Sequence, residues 1–252
     1  MGWRCVTWRA ASTTMTSRPA PLRMLMVGCP GSGKGTLSAR IERHYGVPII
    51  TAGDLLRWHI RQGTPLGHAA SASIRAGRLM PDATMMELVG SKLHTMQHDH
   101  WILDGFPRTL GQAQLLSAEL ARTQCPLSLV VQLHVPESVI LQRVLERWTH
   151  VPSGRVYNLS FNPPRTPGVD DVTGEALEQR EDDNPATFQR RLAGHHAQTE
   201  PMVEFFRAQT SPHGAPLVVD LAGRTSDEIW PKLQRVLIER GASLSTRTPC
   251  GP

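Results

Sequence analysis

A glycine-rich segment, GCPGSGKGT at residues 28–36, constrains the fold of this chain more than any other feature. It follows the apolar run LRMLMVG (22–28), typical of a buried strand, and it leads into an amphipathic segment, 34–45, typical of a helix. Glycines between a strand and a helix let main-chain N–H groups converge on a phosphate chain at the positive end of the helix, where Lys34 reaches the terminal phosphates. The segment therefore predicts a phosphate-binding loop in an α/β fold.

Strand-like and helix-like segments alternate along the rest of the chain. Strands are predicted at Val47–Ile50, WILD (101–104), SLVVQLHV (128–135) and LVVD (217–220). Helices are predicted within Gly53–Gly77, over 109–124 and Pro136–Trp148, from the Asn184-Pro185 cap toward Thr210, and over Ser226–Arg240. This rhythm predicts a parallel sheet with crossover helices.

One segment, VPSGRVYNLSFNPPRTPGVDDVTG (151–174), interrupts that rhythm. Residues Val156 to Phe161 alternate in the manner of a strand, and a structureless loop of this length is uncommon inside a compact domain. The segment therefore predicts a small β insert that moves relative to the core as a lid.

The charge of the chain is concentrated at its start. The formal net charge is +5, yet residues 1–23 hold four arginines and no acid, and the remainder carries 23 basic and 22 acidic residues. A nearly neutral body gives no reason to expect nucleic-acid binding, and no apolar run is long enough to span a membrane. The opening segment, rich in arginine and hydroxyl side chains, predicts a mitochondrial transit peptide at 1–20, with an unfolded leader as the alternative.

Three further segments, TAGDLLR (51–57), LDGFPRT (103–109) and the long lid with its flanks (146–183), complete a pattern with the glycine-rich loop. With them the chain resembles the adenylate kinase family over roughly 23–240, in its long-lid type, and is most similar to the mitochondrial GTP:AMP phosphotransferases. The loop variant in which Gly35 precedes the hydroxyl of Thr36 is that of nucleoside monophosphate kinases. The resemblance implies a P-loop nucleoside monophosphate kinase fold. Its parts are a core at 21–50, 82–146 and 185–241, a helical NMP-binding insert at 51–81, a β lid at 147–184, and a flexible tail at 242–252.

The activity that the resemblance implies is reversible, Mg²⁺-dependent transfer of the terminal phosphoryl group of GTP, or ITP, to AMP, giving GDP and ADP. Its partners would be these nucleotides alone, and the protein would be a monomer in the mitochondrial matrix. A general ATP:AMP adenylate kinase is the alternative within the enzymes. A GTP-binding switch module is the alternative of another class, but NKxD is absent and the DxxG sequences, at 171–174 and 220–223, lie late in the chain.

The resemblance also assigns roles to residues. The catalytic set is Lys34, Asp104, Arg108, Arg147, Arg180 and Arg191, with Arg190 an equal candidate to Arg191 by spacing. The donor nucleotide would contact Pro30, Gly31, Ser32, Gly33, Lys34, Gly35, Thr36, Arg147, Val156, Tyr157 and Arg224. AMP would contact Ala52, Arg57, Arg78, Leu79, Met80, Gly105, Phe106, Pro107, Arg108, Gln112, Arg180 and Arg191. Arginine suits this work because its planar fork binds phosphate oxygens in pairs. No protein atom would ligate the metal directly, since Asp104 and Thr36 would orient water on Mg²⁺.

Three features of the sequence depart from the family pattern or suggest a metal site. Ala52 stands where the family has Ser or Thr in contact with AMP, which predicts weaker AMP binding by one hydrogen bond. The lid positions that hold zinc-binding cysteines in some relatives are His150, Ser153, Asp170 and Thr173 here, a set that favours hydrogen bonding. The histidines His94, His98 and His100 are expected in a solvated loop.

Overall fold

The structure is a computed structural model that describes residues 21–75, 78–96, 99–180, 183–240 and 244. Its core is a five-stranded parallel sheet in the order β2–β3–β1–β4–β7, and a separate antiparallel pair joins β5 to β6. The strands are β1 Arg23–Gly28, β2 Ile49–Thr51, β3 Trp101–Asp104, β4 Leu129–His134, β5 Arg147–Thr149, β6 Val156–Asn158 and β7 Val218–Ala222.

Helices cover both faces of the sheet. They are α1 Lys34–Tyr45, α2 Ala52–Arg61, α3 Pro65–Arg75, α4 Asp82–His94, α5 Leu110–Arg122, α6 Glu137–Leu145, α7 Pro185–Arg207 and α8 Ser226–Glu239. Alternate residues of β1 enter separate clusters: Leu25 packs with α4, α5 and α7, and Met24 packs with α1 and α8. This burial on both faces explains why the central strands are continuous apolar runs.

Two inserted units lie over the carboxyl ends of the strands. Helices α2 and α3 form the first, between β2 and α4, and the β5–β6 pair belongs to the second, between α6 and α7. The two units touch directly. The Arg61 guanidinium donates to the main-chain oxygen of Val151 over 3.3 Å, and a side-chain carbon placed on Gly154 would lie 3.9 Å from the Asp54 carboxylate. We call this contact the insert–lid contact.

The structure corrects the predicted elements in three places. Helix α4 had no predicted counterpart, and His94, expected in a loop, is its last residue. The helix predicted over Pro136–Trp148 ends at Leu145, because the next residues pair with β6. The alternation predicted up to Phe161 stops at Asn158, whose side chain accepts hydrogen bonds from the turn that follows.

The predicted transit peptide at 1–20 lies outside the described residues, and so does the predicted tail at 242–252 apart from Leu244. Among the helices that the structure describes, none combines the length and the apolar character needed to cross a bilayer.

Candidate active site

The glycine-rich loop joins β1 to α1 and leaves the start of that helix open to an anion. Helix α1 begins at Lys34 with Gly33 as its N-cap in the left-handed region (φ 92°), with no side-chain cap and no acidic residue in its first turn. The Lys34 ammonium folds back and donates to the main-chain oxygens of Gly28 and Cys29, each over 2.8 Å. Uncapped N–H groups and an adjacent ammonium form a phosphate site.

Gly31 allows the loop to lie close to its neighbours. A side-chain carbon on Gly31 would come within 2.7 Å of Val144 and 2.9 Å of Ile140, both on α6, and Gly31 also has a positive φ of 84°. Any larger residue would push the loop away from α6, the helix that leads into the lid. The loop and the lid are therefore packed against a shared support.

Asp104 and Lys34 face each other at the carboxyl ends of β3 and β1. A side-chain carbon on Gly35 would lie 3.7 Å from the Asp104 carboxylate, which is only 6% exposed. Burial raises the pKa of Asp104, while Lys34 and then Arg108 oppose the rise. Burial likewise lowers the pKa of Lys34 to about 8, against the attraction of Asp104. The pair is thus desolvated and ready to bind charged ligands.

Three arginines from the two inserted units, Arg57, Arg147 and Arg180, meet beside this pair. Burial, followed by repulsion from Arg57 and Arg147, lowers the pKa of Arg180 to about 9. Arg147 forms a two-pronged ion pair with Asp183, whose side chain is 1% exposed, with Nε 2.7 Å from one carboxylate oxygen. Like charges brought together in this way are an arrangement that a polyanion stabilises.

Arg180 has a buried donor that is available to a ligand. Its Nε is buried and has no hydrogen-bond partner among the described residues. A buried donor without a partner costs free energy, and guanidinium groups pair preferentially with phosphate oxygens. Arg57 reaches the same region from α2, where its Nε donates to Asp54 over 3.1 Å.

Arg108 lies in the loop after β3 and is held by several hydrogen bonds. Its main-chain N–H donates to Gln112 Oε1 and its Nε to the Gly105 oxygen, both over 2.8 Å. The Thr199 hydroxyl donates to its main-chain oxygen over 3.2 Å. The predicted acceptor-site residues Gly105, Arg108 and Gln112 therefore form one unit.

Helix α7 turns one face toward this unit. Arg191, His195 and Thr199 are spaced four residues apart and share that face. Burial and then the Lys34 charge lower the pKa of His195 to about 4, so its ring is neutral at physiological pH. Arg190 is exposed and donates to Thr187 over 2.9 Å, whereas Arg191 is half-buried. The geometry thus favours Arg191 over Arg190 as the arginine of the cleft.

The predicted donor-base region contains two residues that sequence reasoning missed, Arg143 and Phe161. The Arg143 guanidinium lies 4.6 Å from the ring centroid of Phe161 in the lid, and its Nη2 donates to the Arg224 oxygen over 2.6 Å. It also reaches the phosphate loop, since a side-chain carbon on Gly33 would lie 3.8 Å away. Arg224 and Cys29 line a common cavity of about 570 Å³. The spacing of Arg143 four residues before Arg147 was the available signal.

Tyr157 does not offer its side chain to this region. It is buried inside the lid, where its hydroxyl donates to Asp170 over 2.9 Å and accepts from the Asp171 N–H over 2.9 Å. The predicted contact with the donor base is left to its main chain and to the neighbouring Val156, which is 40% exposed. Alternation along β6 explains this, because successive residues face opposite sides.

The remaining predicted acceptor residues divide between core and surface. Ala52, Met80 and Phe106 are buried in the cluster on the α4, α5 and α7 side of the sheet, with Ala52 only 1% exposed. Arg78 is exposed and Leu79 half-buried. A threonine at 52 would place its hydroxyl in an apolar environment, which the sequence could not indicate.

The four lid positions considered for zinc form the predicted hydrogen-bonding group. His150 contacts Ser153 over 2.7 Å, and Thr173 donates to Asp170 over 3.0 Å. Arg155 completes the group through a two-pronged pair with Asp170, 2.6 Å at its shorter arm. Hydrogen bonds to Arg155 therefore hold the pKa of Asp170 well below its usual range.

The three histidines near β3 are structural where the structure describes them. His94 contacts Glu119 of α5 over 2.5 Å, and His100 Nδ1 accepts from the Leu22 N–H over 2.8 Å. His98 lies outside the described residues. The expected solvated loop is therefore wrong for His94.

A parallel sheet with a phosphate loop, and two inserted units that meet over a cleft lined with arginines, define a kinase that brings two nucleotides together. The sequence matches the adenylate kinase family over residues 26–211, and the chain belongs to that family. It is accordingly a phosphotransferase.

Several curated proteins resemble the chain over almost its whole length. Two from Saccharomyces cerevisiae, the second from strain ATCC 204508 / S288c, carry the name GTP:AMP phosphotransferase, mitochondrial. They are 39% identical over 92% of this chain and 99% of the relative, and 40% identical over 88% and 98%. A Drosophila melanogaster protein of the same name is 41% identical over 86% of this chain and 96% of its own length.

Proposed function

We propose that the protein transfers the terminal phosphoryl group of GTP to the phosphate of AMP, forming GDP and ADP. The observation that carries this proposal is the meeting of Lys34 and Asp104 with the cluster of Arg57, Arg147 and Arg180, in which a buried guanidinium nitrogen has no hydrogen-bond partner within the described part of the chain. The named relatives supply the identities of the two nucleotides.

The transfer makes one bond and breaks one. An AMP phosphate oxygen forms a bond to the γ-phosphorus of GTP as the bond from that phosphorus to the bridging oxygen breaks, and GDP leaves with that oxygen. AMP phosphate is already largely dianionic near neutral pH, so no general base is required. Positioning and charge neutralisation therefore carry the reaction.

Each part of the cleft has its own task in that scheme. The phosphate loop and Lys34 hold the donor phosphates, Arg57 and Arg108 hold the acceptor phosphate, and Arg147 and Arg180 cover the transferring group. Asp183 keeps the Arg147 fork in a fixed orientation through its two-pronged pair. The insert–lid contact helps to exclude water, which would otherwise accept the phosphoryl group.

The residues beside the loop suit Mg²⁺. Both side chains near the loop offer oxygen atoms. The buried carboxylate of Asp104 lies close to the start of α1, and the first turn of that helix also carries the hydroxyl of Thr36, an exposed residue. Magnesium prefers oxygen ligands and retains several waters, which these groups would orient. When bound, the ion would neutralise charge on the donor phosphates.

We expect GTP to be the best donor, with ITP close behind and ATP weaker. ITP keeps the 6-oxo group and N1 proton of guanine, whereas adenine reverses both. A hydrogen bond contributes about 0.5–1.5 kcal/mol and a buried unsatisfied partner costs about 1–3 kcal/mol, so the preference should fall between a few-fold and a hundred-fold. The measurement is kcat/KM for each donor with AMP and Mg²⁺, followed by GMP as acceptor.

Two outcomes would contradict this assignment separately. An ATP preference above tenfold would make the protein a general ATP:AMP adenylate kinase. Phosphorylation of GMP as efficient as that of AMP would show that the acceptor site has been misread. Sedimentation or light scattering of the same sample tests the proposal that the protein is a monomer.

We also propose that residues 1–20 direct the protein into the mitochondrial matrix, in keeping with the word mitochondrial in the names of its relatives. A reporter fused behind this segment should enter mitochondria and resist protease after rupture of the outer membrane. The matched control changes Arg4, Arg9 and Arg18 to Asp, which should abolish import because the segment then loses its positive charge. A cytosolic reporter with the unchanged segment would refute the proposal.

A further inference from the structure

We infer that Thr199 is a positioning residue for Arg108 and so for the acceptor phosphate. The two residues are 91 positions apart, and the Thr199 hydroxyl donates to the main-chain oxygen of Arg108 over 3.2 Å. Thr199 is 6% exposed and lies in the middle of α7, away from every motif of the sequence. The bond joins the loop that carries Arg108 to the helix that carries Arg191.

Two other hydrogen bonds of Arg108 are local. Its main-chain N–H pairs with Gln112 and its Nε with Gly105, so both partners lie within four residues of it. Such bonds fix the shape of the loop but move with it. The Thr199 bond instead fixes where the loop lies relative to the face of α7 that presents Arg191 and His195.

The direction of the Thr199 hydroxyl supports this role. Helical threonines commonly return their hydroxyl to a carbonyl one turn earlier in the same helix, which serves only that helix. Here the hydroxyl bonds a different element, at the residue whose side chain is assigned to phosphate. Without that donor the Arg108 carbonyl loses a partner, and the loop gains freedom to shift. Displacements of about 1 Å at reacting groups have large effects on rate.

The test is Thr199→Val, which keeps the side-chain shape and removes the hydroxyl. We expect kcat/KM for AMP to fall about three- to tenfold, mainly through a higher KM for AMP, with the KM for the donor unchanged. Thr199→Ser should restore the AMP values, because it restores the donor. A role confined to stability would lower the melting temperature and leave both KM values alone.

Thr123→Val is the matched control. The Thr123 hydroxyl also donates to a main-chain oxygen, that of Glu119 over 2.9 Å, but at the end of α5 beside Trp101, the first residue of β3. The Thr123→Val variant should leave the KM values of both substrates unchanged. If Thr199→Val yields no soluble protein, Thr199→Ala removes the same hydroxyl without adding a methyl group.

The inference rests on the proposed function only in taking AMP as the acceptor, and any donor that works can be used. Unchanged AMP kinetics in Thr199→Val, equal changes for donor and acceptor, or failure of Thr199→Ser to restore the AMP values would overturn it. If the parent protein does not phosphorylate AMP at all, the proposed function fails instead. The two failures are therefore distinguishable.

Discussion

Lys34→Ala is expected to reduce phosphoryl transfer by roughly 10³-fold or more while the protein remains folded. Among the residues that the structure describes, the ammonium donates hydrogen bonds to the Gly28 and Cys29 oxygens of its own loop, so its removal costs little stability. With nucleotide bound, it supplies a positive charge at the terminal phosphates in a desolvated site. Single-turnover kinetics and a thermal melt measure the two effects.

Lys232→Ala provides the control for this change. The Lys232 ammonium also donates to a main-chain oxygen, that of Ala222 over 2.7 Å, but from α8 on the exposed surface. The Lys232→Ala variant should retain the parent rate and have a similar melting temperature. If Lys34→Ala turned over within tenfold of the parent, the phosphate-loop assignment would be wrong.

Arg180→Ala is expected to lower kcat by roughly 10²- to 10³-fold. One nitrogen of this guanidinium is buried and has no partner among the residues that the structure describes. Burial, Arg57 and Arg147 lower its pKa to about 9, so it is held in place for a ligand that is itself strongly charged. Arg180→Lys should recover only part of the loss, because an ammonium cannot present two parallel N–H groups. Steady-state kinetics with both nucleotides varied gives the comparison.

The same substitution should not reduce the thermal stability of the nucleotide-free protein. Removing one of three clustered positive charges relieves repulsion, so Arg180→Ala should not lower the melting temperature. Arg122→Ala, which removes an exposed arginine paired with Glu119 on α5, is the control and should leave kcat unchanged. A kcat for Arg180→Ala within fivefold of the parent would exclude a role for Arg180 in stabilising the transferring phosphoryl group.

Local sequence signals predicted the helix boundaries that are set by glycine or by an Asn-Pro cap. Helix α1 runs from Lys34 to Tyr45 as expected, because Gly33 before it and Gly46 after it both take left-handed conformations. Asn184 caps α7, as expected, by accepting from the Thr187 N–H. In both cases the residues that decide the boundary are neighbours in sequence.

Elements that depend on distant partners were harder to predict. Helix α4 buries Met85, Val89 and Leu93, a four-residue spacing that was present in the sequence but followed by a polar, histidine-rich end. Residues 147–149 continue a helical pattern, and only pairing with β6 makes them a strand. Tertiary contacts overrode the local preference there.

The candidate site shows the same division. Motifs indicated Lys34, Asp104 and Arg108, whose neighbours in sequence form the loop or strand end that presents them. The pairing of Asp183 with Arg147 spans 36 residues, and the bond from Thr199 to Arg108 spans 91. Which arginine receives which partner is a property of the folded chain, so spacing alone could not assign it.

Under the proposed function, we expect the insert–lid contact to couple the binding of the two nucleotides. Arg61 and Val151 can meet only when both inserted units lie over the cleft, so a nucleotide that draws in one unit lowers the cost of drawing in the other. Thermodynamic linkage makes the effect reciprocal: the factor by which bound AMP tightens the donor equals the factor by which bound donor tightens AMP. The same contact has to break before products leave, so a bond that helps to keep water out also sets a limit on how fast the next cycle begins.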